Sequence, residues 1–335
     1  MLGVFPSYSS SDEDLKVLSV MEQHSTTSNE IEYQVLNNTV DLESSLDEDS
    51  VIDVEINGVG LTVESDSETT IEFRPAKESS PSFDLTIDYL KDDAHPVILS
   101  NGLVEFEAED PDIRAYAAVK DDGSVQVVTA ITSPDAPEEY LYSLEIPAGG
   151  EIVELGDSLA ILDENEEFIG AVAPAWAIDA NGVPVPTEYV VDGTSVTQVV
   201  EHQAHDVAYP VVADPWLGVN LLAGTWVNRK GPHPDYGTVY STKLSSWGWT
   251  VYAGSTSGPL LLVGGQKILR DAGWKEFKAR RQKVNTKTMH QQYLCHVQYG
   301  YAIWAAGVHW DLESKRSVKN NWATTNPLSH KCNWK

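Results

Sequence analysis

Five dipeptides constrain the first two thirds of the chain more than anything else in it: Asn57-Gly58, Asn101-Gly102, Asp122-Gly123, Asn181-Gly182 and Asp192-Gly193. Each joins a residue tolerant of positive φ to a glycine, which is the chemistry of a tight hairpin turn. The flanks agree. Val51-Ile52-Asp53-Val54-Glu55-Ile56 and Val104-Glu105-Phe106-Glu107-Ala108-Glu109 alternate apolar and acidic side chains, the period of a strand with one buried and one solvated face. Thr187-Glu188-Tyr189-Val190-Val191 and Ser195-Val196-Thr197-Gln198-Val199-Val200 flank the last turn as a hairpin. These signals predict a mainly β N-terminal region over residues 31–215, a sandwich or barrel built as one body or two subdomains. Its carboxylates read as the solvated strand face, because the nearest calcium-like string, Asp163-Glu164-Asn165-Glu166-Glu167, lacks the glycine and ligand spacing of a calcium loop. Residues 1–30, rich in Ser, Thr and acidic side chains, read as a flexible acidic tail.

A chain of 335 residues suits two or three domains, and Tyr209-Pro210-Val211-Val212-Ala213-Asp214-Pro215, an apolar run bracketed by prolines, marks an exit from the sheet. Charge changes sign at that border. Residues 1–215 hold 6 Lys+Arg against 46 Asp+Glu, whereas residues 216–335 hold 16 against 5, so the parts carry −40 and +11. Nine of the ten tryptophans lie at or beyond Trp216. The second part, residues 216–335, is thus a basic, Trp-rich domain whose aromatics either fill a core or face a partner.

Within it, Ser246-Trp247-Gly248-Trp249-Thr250-Val251-Tyr252 reads as β-like, and then the period changes. From Gln266 to Arg281 the residues Leu269, Ala272, Trp274 and Phe277 fall on one helical stripe, with Lys267, Arg270, Lys275, Lys278, Arg280 and Arg281 largely elsewhere. Arg270, Trp274, Lys275, Lys278, Arg280 and Arg281 form the candidate binding surface, extended by Lys283 and Lys287. Cations release counterions from an anionic polymer or membrane surface, and aromatics stack on bases or enter a membrane interface. The bland alternative is a solvated helix face. Asn285-Thr286 caps a second helix through Met289 to Tyr293, which delivers Cys295 to the core.

Cys295 and Cys332 are the two cysteines. In an exported protein they form a disulfide, worth about 4 kcal/mol for a loop of this size. Zinc, with His296 and His330 as further ligands, is the alternative, but neither half of the pattern has the usual two-residue gap. No metal or cofactor is assigned.

Catalytic motifs are sparse. There is no Gly-x-Ser-x-Gly elbow, HExxH helix, phosphate loop or dinucleotide fingerprint. The catalytic candidates are His309, Asp311 and Glu313, at alternate positions near His290 and His296, a set able to hold a divalent ion or act as base and acid in phosphodiester hydrolysis. Against them stands a core His296 and a Glu313 paired with Arg316 or Lys315. No run of roughly 20 apolar residues suggests a transmembrane segment, and the start lacks the basic and apolar regions of a signal peptide.

After Val219 the order of features resembles a family, domain of unknown function family 2599, found at the C-terminus of actinobacterial secreted proteins. The elements are Trp226 with Arg229, Trp249-Thr250-Val251, Ala272-Gly273-Trp274-Lys275-Glu276, Met289-x-x-Gln292-Tyr293-x-Cys295-His296, Trp310-Asp311-Leu312-Glu313-x-x-Arg316 and Cys332-Asn333. Asp311 stands where that family usually has Asn, and Ser314, Lys315 and Ser317 do not supply its second tryptophan and proline. Residues 174–215 resemble a segment that precedes diverse C-terminal domains in such proteins. The resemblance implies export, a disulfide and a carrier joined to changeable cargo, and it brings no known activity. The expectation is a secreted or cell-surface carrier-and-cargo protein whose acidic part contacts and masks a basic domain aimed at an anionic target, with antibacterial use. A metal-dependent hydrolase or nuclease toxin and an uncleaved structural surface protein are the alternatives.

Overall fold

The computed structural model describes residues 12–28, 31–42, 52–65, 69–75, 81–91, 96–203, 206–253, 261–303 and 308–334. The acidic region is two antiparallel sheets packed face to face. One has seven strands in the order Ile52–Ile56, Val59–Ser65, Thr69–Pro75, Phe83–Ile87, Glu139–Glu145, Ser195–Val200 and Thr187–Asp192. The other runs Glu151–Leu155, Ser158–Leu162, Phe168–Val172, Trp216–Gly218, Val125–Ile131, Ile113–Val119, Val104–Phe106 and Val97–Ile98, with Ala177–Ile178 and Val211–Ala213 paired alongside. Phe73, Phe83 and Leu85 of the first sheet meet Ala115, Val127 and Leu217 of the second in one core. All five turn glycines take the left-handed conformation, with φ between +62° and +82°, so a Cβ at any of them would be strained. The β-rich sandwich expected from the turns is what forms.

Three local expectations are corrected. Residues 12–27 are not a tail: α1 (Asp12–Thr27) lies on the second sheet, burying Val17, Val20 and Met21 against Tyr116, Val128 and Trp176. Those apolar positions follow the helical i, i+3, i+4 spacing, and composition concealed them. Asp14 fixes the helix by an ion pair of 2.7 Å with Arg114. The acidic face of Val104–Phe106 is not solvated either, since all three residues are buried; burial pushes the Glu105 carboxyl above its ordinary value. The third correction is α2 (Ser246–Ala253), helical where aromatics suggested a strand. Ser245 caps it by accepting the Gly248 amide at 2.8 Å, and local capping prevails over the β propensity of Trp and Tyr.

The C-terminal part consists of a three-stranded sheet, Leu222–Val227, Val239–Leu244 and Trp310–Glu313, with α2, α3 (Leu261–Ile268), α4 (Trp274–Arg280), α5 (Lys287–Ile303) and the short α6 (Pro327–His330). It is α+β and carries the Cys295–Cys332 disulfide. It is not a separate bead. Trp216–Gly218 is still a strand of the second sandwich sheet, and Ala160, Ala171, Ala173 and Trp216 share a single apolar cluster with Trp247, Leu269, Phe277 and Tyr293. A Cβ on Gly218 would sit 2.8 Å from the Trp247 ring, so glycine is what lets this indole seat against the sheet.

Candidate functional site

Between α3 and α4 the helix opens into a π turn, Leu269–Gly273. Leu269 O accepts the Trp274 amide across the turn and also the Tyr293 hydroxyl at 2.8 Å. The turn and its two flanking helices stand opposite the strands Glu151–Leu155, Ser158–Leu162 and Phe168–Val172, leaving a cleft of ≈ 780 Å³. Leu155, Leu162, Phe168 and Ile268 form its apolar lining; Lys267, Lys275 and Arg280 face it from the helices, and Glu166 and Glu167 from the sandwich. Lys275 reaches Glu167 at 2.9 Å and Arg280 reaches Asn57 Oδ1 at 3.5 Å.

One carboxylate ties the helix to the chain entering the C-terminal part. Glu276 accepts the amides of Leu221 at 2.9 Å and Leu222 at 3.3 Å and pairs with Arg280 at 2.7 Å. Burial dominates over these partners and pushes its carboxyl up to about 7 from an ordinary 4.5. The folded chain therefore binds more protons than the unfolded chain between those values, so stability falls as pH rises through this window. Urea unfolding of Glu276→Gln should show a flatter dependence across the window than the parent; an unchanged slope would assign that dependence to other groups.

The cationic helix carries its side chains differently from the expectation. Trp274 is no exposed stacking platform: it is buried, lies parallel to His290 at 4.7 Å between centroids and packs on Phe277 and Tyr293. The apolar stripe is simply the face turned to the core. Lys275 and Arg280 are engaged by Glu167 and Glu276. Arg270 is exposed and bonded to Gln266 at 3.3 Å, Lys278 is half-buried, and Arg281, Lys283 and Lys287 are exposed. Arg281 donates to Thr225 O at 3.0 Å. That bond sets the end of α4 beside the strand leading to Arg229 and Lys230.

His309, Asp311 and Glu313 are neighbours along the backbone, but each engages a different partner. His309 meets the Trp226 ring edge-on at 4.8 Å, Asp311 accepts from the Ser241 hydroxyl with Arg229 at 3.9 Å, and Glu313 forms a buried pair with Arg316. Among the described residues no group of three His, Cys, Asp or Glu side chains is placed to hold a metal ion. His296 is a core histidine stacked on Trp310, and burial draws its imidazole down to about 3. With both sulfurs bonded to each other, the zinc alternative falls away.

Sequence reasoning missed the cations that gather around His309. Burial first, then Arg229, Lys243 and Lys230, hold that imidazole below its ordinary value, with Asp311 opposing. No acidic residue occurs at positions 217–234 or 277–310, a local signal that was available. Glu276 was also missed, masked by the basic residues around it, though its i, i+4 spacing to Arg280 was legible.

No helix among the described residues is long and apolar enough to cross a membrane. A search of the curated proteins finds no match to the chain. Trp226, Arg229 and Trp249-Thr250-Val251 lie ahead of the segment that a family model matches. Residues 262–334, which hold the π turn, the Glu276 clasp, the Glu313–Arg316 pair and both cysteines, match the model described as "Protein of unknown function (DUF2599)", and the C-terminal part of the chain is similar to that family.

Proposed function

We propose that the chain is an exported binding protein whose basic C-terminal part engages a phosphodiester polymer, with the acidic sandwich occupying part of the basic surface. The observation that carries this reading is the Arg281–Thr225 bond, because it sets the cations after α4 beside the strand that leads to Arg229 and Lys230, with Asp311, 3.9 Å from Arg229, as the neighbouring carboxylate. Arg229, Lys230, Arg281, Lys283 and Lys287 are all exposed there. Lys275 and Arg280, on the cleft side, contact the sandwich instead, which is the partial masking. A disulfide suits an oxidising compartment. Teichoic acid, nucleic acid and lipid headgroups share phosphodiester chemistry, so the test compares them.

Binding of the full chain to lipoteichoic acid, single-stranded DNA and anionic vesicles would be followed at low and fourfold higher salt. Four phosphate contacts would weaken binding about 50-fold over that change. The triple variant Lys230→Glu, Arg281→Glu, Lys283→Glu should lose most of the salt-sensitive affinity. Absence of salt-sensitive binding to all three probes would overturn the proposal.

A further inference from the structure

We infer that Asp214 severs its own peptide bond to Pro215, releasing the covalent tie between the acidic sandwich and the C-terminal part. This deepens the carrier-and-cargo reading, on which it rests, by supplying the cut that such a protein needs.

The chain has two Asp–Pro bonds, Asp110–Pro111 and Asp214–Pro215, and the second lies at the border. Only Cβ and Cα separate an aspartyl carboxyl from its own backbone carbonyl, so attack closes a five-membered ring. Proline supplies a tertiary amide, whose nitrogen carries no hydrogen and departs readily once protonated. Asp214 has no exposed surface. Its Oδ1 accepts the Trp176 amide at 3.0 Å and lies 3.4 Å from Gln198 Nε2 and 3.5 Å from the Tyr189 hydroxyl. Oδ2 has no hydrogen-bond partner on any other described residue. A buried carboxyl with one oxygen left over is costly as an anion, and burial does push this group well above the ordinary aspartate value, with Glu32 adding to the effect. Oδ1 is thus anchored while Oδ2 bonds no other described residue, and burial favours the protonated form that the leaving nitrogen requires.

The step balances with water as its only co-reactant. A carboxyl oxygen of Asp214 bonds to the Asp214 carbonyl carbon, the bond from that carbon to Pro215 N breaks, and the carboxyl proton passes to the nitrogen. The products are a cyclic anhydride at position 214 and a secondary amine at Pro215. Water then opens the anhydride to a side-chain carboxylate and a new C-terminal carboxylate. The fold holds both sides of the bond: Val211–Ala213 pairs with Val125–Ile131, and Pro215 O accepts the Val127 amide at 2.8 Å. Because Trp216–Gly218 and the shared tryptophan core remain in place, the cut chain stays one folded body until that core opens.

The test is denaturing mass spectrometry of purified, oxidised full-length chain held at pH 7 and 37 °C with protease inhibitors. Exposed Asp–Pro bonds persist at that pH because their carboxyls are ionised. Fragments ending at Asp214 and beginning at Pro215 are expected, accumulating at least about tenfold faster in the folded chain than in urea, since positioning is what the fold adds. Asp214→Glu, which needs a larger ring, and Pro215→Ala, which has a poorer leaving group, should stay whole. The comparison of folded with urea-unfolded parent needs no variant to fold. An intact native chain, or equal rates in the two states, would overturn the inference. Polymer binding, measured separately on uncut Pro215→Ala, tells failure of the cut from failure of the binding reading.

Discussion

Trp247→Ala should destabilise the protein by about 3–5 kcal/mol, the range for removing a large aromatic from a packed core. Trp247 is fully buried, and its indole nitrogen donates to Trp216 O at 3.3 Å. Its backbone amide lies 3.3 Å from Asp122 Oδ2, in the turn between Ile113–Val119 and Val125–Ile131. One residue of α2 therefore touches a strand of the sandwich and the turn between two others, and its loss opens a cavity that neither part can close alone. Urea unfolding followed by far-ultraviolet circular dichroism and by tryptophan fluorescence should give one coincident transition in the parent. The variant should shift both signals together. Separate transitions in the parent, or a loss confined to one signal, would show that the two parts fold independently and that the joint core contributes little.

What could be read from the residues follows the range of the forces involved. Turn glycines, the Asp192-Gly193 hairpin, the Thr286-capped α5 and the basic helix are encoded by neighbours in the chain, and all form. The strand order is not so encoded. Phe83–Ile87 pairs with Glu139–Glu145, and Trp216–Gly218 slips between Phe168–Val172 and Val125–Ile131, both of which precede it in sequence; those pairings depend on which apolar faces meet, not on any local signal. The same limit governs the candidate site. A stripe of Trp274 and Phe277 says that one side of the helix is apolar, and only the packing of Tyr293 and His290 says that this side is covered. The sandwich partners of Lys275 and Arg280 lie more than a hundred residues away, at Glu167 and Asn57. Alternation along Trp310–Glu313 placed His309, Asp311 and Glu313 on a common face, but what each side chain meets comes from three other segments.

Arg316 carries the second large effect. Its guanidinium lies 3.3 Å from the Tyr236 ring centroid, donates to Trp334 O at 2.8 Å and pairs with Glu313, with both charged side chains almost wholly buried. Arg316→Ala would leave the Glu313 carboxylate buried without its counter-charge, which costs about 3–5 kcal/mol, more than the intact pair contributes. Lysine is no substitute, because a point charge cannot stack on the ring while bonding a carboxylate and a carbonyl. Adding Glu313→Gln to Arg316→Ala should therefore recover stability, and the double variant should be more stable than the two single losses sum to. Midpoints of urea unfolding for the four chains measure this directly. Losses that add within about 0.5 kcal/mol would mean that the pair is uncoupled. Trp334 is held through its carbonyl by Arg316 and through its indole by Ser317 O at 2.8 Å, and Cys332 is two residues away. Arg316 thus anchors the same chain end that the disulfide closes, so the variant should also form the Cys295–Cys332 bridge more slowly on refolding from the reduced chain.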